Sequence, residues 1–151
     1  LEALQWARHQ QPPCAWDSRV CTKSGQLEVL QWARQQHPPC PWDAAVCAEA
    51  ALNGHLEVLQ WVRQQPPCLW DASACAAAAR GGHFAVLQWA RQQQLPCPWD
   101  VGVCAQVARG GQLEVLHWMR QQQPPCPWDA SVCEEAAAHG HLEVLKWSRR
   151  Q

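Results

Sequence analysis

The residues best able to do chemistry are the cysteines, ten in all, and they stand in pairs seven positions apart: Cys14 and Cys21, Cys40 and Cys47, Cys68 and Cys75, Cys97 and Cys104, Cys126 and Cys133. Paired thiols can ligate a metal, attack an electrophile or join as a disulfide. Structural zinc favours cysteines separated by about two to four residues, with further donors closing a tetrahedron. Here six residues intervene, and one cysteine of each pair precedes a helix while the other falls inside it, so no metal is expected. Equivalent cysteines in neighbouring helical units would lie roughly 8–10 Å apart, beyond the Cα separation of about 7 Å that a disulfide tolerates. The thiols are therefore read as reduced, small and apolar. The compartment is read as intracellular and reducing: the cytoplasm first, with an organelle stroma or the nucleus as alternatives.

Histidine beside cysteine could form a nucleophilic pair. His55, His83 and His141 share one repeat position, but Gln26 and Gln112 occupy it elsewhere. A position that accepts glutamine makes a hydrogen bond near a helix start; it does not transfer protons. No unit gathers a nucleophile, a base and an orienting group, so the chain is read as no enzyme, with no cofactor and no small-molecule substrate. Tryptophan interleaved with Arg8, Arg34, Arg63, Arg91, Arg120 and Arg149 could stack on bases and hold phosphates. Glu28, Glu57, Glu114 and Glu143 recur just as regularly, and the net charge is -1, so nucleic acid is the weaker partner reading. No run of about 18 apolar residues could span a membrane.

These residues are placed by a repeat. The Trp before Asp recurs at 16, 42, 70, 99 and 128, in steps of 26, 28, 29 and 29, and a second Trp recurs at 6, 32, 61, 89, 118 and 147. Periods of this size are the signature of stacked-repeat architectures. Residues 1–13 read as half a repeat, followed by units 14–39, 40–67, 68–96, 97–125 and 126–151. Because Leu1 falls in mid-repeat, the chain reads as an excerpt of a longer protein.

Each unit predicts two short helices. Asp129 suits an N-cap, accepting from free backbone N–H groups at the positive end of the helix. Trp128 and Cys133 flank it as a hydrophobic staple. The interior is Ala-rich, as in Ala76-Ala77-Ala78-Ala79, which favours helix and lets the next unit approach closely. Gly54, Gly82, Gly111 and Gly140 end the first helix at a left-handed residue. The second helix, His141 to Arg149, places Glu143 near its start and Arg149 near its end, and carries Leu142, Leu145 and Ser148 along one side, widened by Val144 and Trp147. Pro-rich connectors such as Pro124-Pro125 stop it. Unit 14–39 has three residues between Cys21 and Gly25, where unit 40–67 has six between Cys47 and Gly54, so a local defect is expected there.

Ala50-Ala51-Leu52-Asn53-Gly54-His55-Leu56-Glu57-Val58-Leu59 resembles the core of the ankyrin repeat, and the likeness runs through both helices of every unit. The family's Thr-Pro-Leu-His-x-Ala signature is replaced: Cys47 stands at its Leu, with Ala45-Val46 and Ala48 around it. Pro-Pro-Cys-Pro-Trp-Asp occupies the place of the family's β-hairpin. The resemblance thus implies an all-α, ankyrin-like solenoid of stacked helix-turn-helix units, with short Pro-rich connectors and little or no hairpin. It implies a protein-interaction scaffold binding a protein partner on a concave helix face, or a structural or linker subunit of a larger assembly. The alternative is an RNA-binding helical array.

Positions that vary between units mark where a partner would sit, since the fixed ones are explained by packing. One reads Glu49, Ala77, Gln106, Glu135; three residues on stand Leu52, Arg80, Arg109, Ala138; the next reads Asn53, Gly81, Gly110, His139. All are expected on the exposed side and end of the first helix. Of these, Glu49, Leu52, Asn53, Ala77, Arg80, Gln106, Arg109, Glu135 and His139 form the candidate binding surface, with Arg80 and Arg109 as cationic anchors.

Overall fold

The computed structural model describes residues 1–10, 26–39, 44–65 and 71–150. Among them every regular element is a helix: α1 (Glu2–Arg8), α2 (Leu27–Gln35), α3 (Ala44–Leu52), α4 (Leu56–Arg63), α5 (Ala72–Gly81), α6 (Phe84–Arg91), α7 (Val101–Arg109), α8 (Leu113–Gln121), α9 (Ala130–Ala138) and α10 (Leu142–Ser148). No described residue lies in a strand, and the connectors at 92–100 and 122–129 are irregular. The expected shortening of unit 14–39 lies outside the described residues.

Local chemistry sets the boundaries. Asp71 accepts from Ser73 N, Asp100 from Val103 N and Asp129 from Ser131 N, so α5, α7 and α9 each begin on a carboxylate cap. The turn into the second helix passes through a left-handed glycine in every described unit, with φ of 72° at Gly54, 75° at Gly82, 68° at Gly111 and 74° at Gly140.

Packing follows a simple plan. The first helices touch in series, α3 on α5, α5 on α7 and α7 on α9, and each also packs on the helix that follows it in sequence. The small residues are what permit this approach: Cys47, Ala51, Cys75, Ala78, Ala79, Cys104 and Ala108 are all but inaccessible. The second helices α2, α4, α6 and α8 each contribute a Val-Leu pair, Val29-Leu30, Val58-Leu59, Val86-Leu87 and Val115-Leu116, and all eight side chains are buried. In α10 the buried pair is Val144 and Ser148, whereas Leu142 is 57% exposed. The expected stripe is corrected accordingly: its inner line is Val144, Leu145 and Ser148. Ser148 satisfies its hydroxyl by donating to Val144 O at 2.7 Å.

Trp32, Trp61, Trp89, Trp99, Trp118, Trp128 and Trp147 are half-buried, whereas Trp6 is 67% exposed. Trp99 meets Trp118 edge-on at 6.0 Å, and Trp128 meets Trp147 at 5.2 Å. In these two units the ring before the aspartate thus packs on the second-helix Trp of its own unit, a contact the staple reading does not include. Phe84 and His117 reach the same rings from the preceding unit, at 5.2 Å from Trp118 and 4.6 Å from Trp147.

Candidate functional site

Because α3, α5, α7 and α9 stand side by side, equivalent positions on them form rows. Glu49, Ala77, Gln106 and Glu135 make one such row, and Leu52, Arg80, Arg109 and Ala138 the next. The two rows carry a mixed surface rather than a uniformly exposed one. Arg80 and Arg109 are exposed, and neither guanidinium has a partner among the described residues. Asn53 and His139 are exposed at helix ends and close them locally: Asn53 Nδ2 donates to Glu49 O at 2.8 Å, and His139 Nδ1 lies 3.0 Å from Glu135 O.

Five of the nine candidate residues depart from the exposed placement, with Glu49, Gln106 and Glu135 half-buried. Ala77 is buried at 8% exposure, because the small side chain lets α7 close over it, and Leu52 is half-buried against the core. Ala77 forms part of the floor of a depression of about 250 Å³ whose lining includes Ala48, Ser73, Arg80 and Gln106. At this floor Gln106 Oε1 is buried and accepts no hydrogen bond, and one unit on Glu135 Oε2 is in the same condition. Glu135 Oε2 has only His139 Nδ1 near it, at 3.5 Å, which forms an ion pair when that imidazole is protonated. Buried oxygens without donors are costly, so a group that donates to them is favoured.

The histidine–glutamine position is structural, as its exchange of residue types implied. His141 Nε2 lies 2.8 Å from Arg109 O, across the boundary between α7 and α10. His83 packs over Gly54 and Gly81 of neighbouring turns, and the Gln112 amide lies over Gly82 and Gly110. None of these rings meets a cysteine as a base would.

The arginine row at the end of the second helix is the largest departure from sequence reasoning, which treats it as a solvated helix end or a phosphate site. Arg91 Nη1 donates to Cys97 O at 3.0 Å, with its guanidinium 4.1 Å from the Trp99 ring centroid. Arg120 repeats this on Cys126 O at 3.0 Å and on Trp128 at 5.6 Å. Both arginines therefore clamp the next connector. The signal is present in the sequence as the eight-residue step from Arg to Trp-Asp, seen in Arg8 and Trp16, Arg34 and Trp42, Arg91 and Trp99, and Arg120 and Trp128.

A second surface also escapes sequence reasoning. Gln60, Arg63, Gln64 and Trp89 border a depression of about 430 Å³, and His117, Arg120, Gln121 and Trp147 border one of about 330 Å³ at the equivalent place two units on. Among the described residues no cluster of three His, Cys, Asp or Glu side chains could hold a metal, and no helix is long and apolar enough to cross a membrane.

No protein-family model matches this chain, nor does any curated protein or solved structure.

Proposed function

We propose that this chain is a non-enzymatic protein-interaction scaffold, built as a shortened, ankyrin-like solenoid, that takes a protein partner on the first-helix face. The observation that supports it best is the contrast within that face. Its fixed positions are small and sealed between helices. Its variable positions present the cations Arg80 and Arg109, which have no partner among the described residues. A partner surface offering carboxylates would satisfy both cations, and such groups are common on protein surfaces. By the ankyrin-like reading this face is the concave one. The RNA reading is weakened, since Arg91 and Arg120 are engaged with connectors instead of standing free for phosphates. The reducing compartment belongs to the same proposal.

Affinity capture from source lysate, with and without nuclease and across a salt series, tests this reading. A defined protein set, retained after nuclease and only weakly salt-dependent, is the expected result. Loss of the captured set on nuclease treatment, with a steep decline in salt, would transfer the function to RNA.

A further inference from the structure

Cys75 Sγ lies 3.9 Å from the Cys97 carbonyl oxygen, and Cys97 Sγ lies 3.2 Å from the carbonyl of Asp71, one turn before Cys75, so the two thiols share the boundary between units 68–96 and 97–125. Cys126 Sγ likewise lies 3.4 Å from the carbonyl of Asp100, one turn before Cys104, which sets the second pair at the next boundary in the same way. In each pair the first cysteine is inside a first helix, α5 or α7, and the second stands 22 residues later in the connector that leads to the next Asp cap. The pairing joins non-equivalent positions, which is why a comparison of equivalent cysteines does not find it.

The connector cysteine is fixed from several sides. Cys97 N donates to Ala90 O at 3.0 Å and Cys126 N to Met119 O at 3.2 Å. Their carbonyls accept from Arg91 and Arg120, and their thiols lie 3.2 Å from Asp71 O and 3.4 Å from Asp100 O. All four cysteines are buried. Two thiols are too few for structural zinc, which takes about four donors, and two neighbouring thiols are what a disulfide requires.

We propose that Cys75 with Cys97, and Cys104 with Cys126, are oxidisable dithiol sites whose disulfides covalently join consecutive repeat units. The oxidant is a small-molecule disulfide. One protein thiolate attacks a sulfur of that disulfide, forming a mixed disulfide and expelling one thiolate, which takes up a proton. The second protein thiol then loses its proton and attacks the first protein sulfur, expelling the second small thiol. The protein pair is oxidised by two electrons, and one small disulfide is reduced to two thiols. Burial makes both reactions follow local opening of the connector. The first attacker is the sulfur that this opening exposes to the small disulfide, and its partner completes the exchange.

The test uses the full chain, purified reduced, treated with oxidised glutathione until its free-thiol content is constant, then alkylated, digested and mapped by tandem mass spectrometry. Cys75–Cys97 and Cys104–Cys126 linkages should dominate, the melting temperature should rise by roughly 5 °C or more, and dithiothreitol should reverse both changes. Thiols that stay free, glutathione retained as a stable mixed disulfide, or linkages that run from Cys97 to Cys104 would each overturn the proposal. In a Cys97→Ser variant the first linkage should vanish while Cys104–Cys126 persists. A new disulfide at Cys75 in that variant would show that the pairing is not set by the fold, and the wild-type map decides alone if the variant does not fold.

Discussion

Arg91 lies over the ring of Trp99, 4.1 Å from its centroid, and the same guanidinium holds the carbonyl of Cys97 two residues earlier. One side chain at the end of a second helix thereby fixes both the path of the next connector and the aromatic ring that precedes the next helix cap. Units that share little helix surface on this side are tied through the connector instead.

Truncation of that clamp should be felt. Arg91→Ala removes a cation–π contact and a charge-assisted hydrogen bond to a carbonyl that burial leaves poorly hydrated, and should cost about 2 kcal/mol in urea unfolding. Arg91→Lys should recover less than half, because an ammonium cannot lie flat on the indole while donating to the carbonyl. A loss below about 0.5 kcal/mol, the scale of an exposed ion pair, would mean that the clamp does not hold the connector.

The four left-handed glycines should respond unequally to alanine. At Gly140 an added Cβ meets nothing within 4 Å, so Gly140→Ala bears only the left-handed penalty of about 1 kcal/mol. At Gly111 the new Cβ would stand 2.5 Å from the His141 ring, which must shift and strain its hydrogen bond to Arg109 O. Gly111→Ala should therefore cost roughly twice as much or more. Equal losses in thermal or chemical melts would contradict the inter-unit role of His141.

The same contact can be read from the other side. His141→Ala should lose about 1 kcal/mol through the orphaned carbonyl of Arg109. His141→Gln should stay close to wild type, since Gln112 fills the equivalent place one unit earlier. A glutamine variant as damaged as the alanine one would show that ring shape, rather than the hydrogen bond, is what the position needs.

Asp71 gives a pH dependence with a definite sign. The Ser73 hydroxyl and backbone N–H hold its carboxyl below the ordinary value of 3.8. A carboxylate whose folded pKa is depressed stabilises the fold fully above its unfolded pKa and loses that contribution as pH falls through the folded one. The wild-type chain should therefore lose more stability than Asp71→Asn when acidified from about pH 5 to below the ordinary carboxylate range. Parallel pH profiles for the two proteins would remove the cap from the account.

Much of this was legible because the repeat states each rule several times. Trp-Asp marked the caps later seen at Asp71, Asp100 and Asp129, and Gly-His or Gly-Gln marked the left-handed turns. Contacts between different positions of neighbouring units were not legible, since the period only aligns like with like. That is why the approach of Cys75 to Cys97 emerges only in three dimensions, and why the eight-residue step from Arg91 to Trp99 could be read as a spacing but not as a clamp. The burial of Ala77 and the exposure of Leu142 escaped for a related reason: helical spacing names a face, while the neighbour decides how far that face is covered.

The binding reading makes its sharpest demand on Arg80 and Arg109. Both are exposed and lack partners among the described residues, so Arg80→Ala with Arg109→Ala should change stability by no more than about 0.5 kcal/mol. If the first-helix face is the docking surface, the same double variant should lose roughly tenfold or more in partner capture, as removal of central cationic anchors does. A companion change, Gln106→Leu, fills the depression beside Arg80 and removes the donorless oxygen. It should raise stability or leave it unchanged, because it removes a buried oxygen without a donor, and should weaken capture by reshaping the depression beside Arg80. Undiminished capture by both variants would move the interface off this face and direct attention to the depressions beside Trp89 and Trp147.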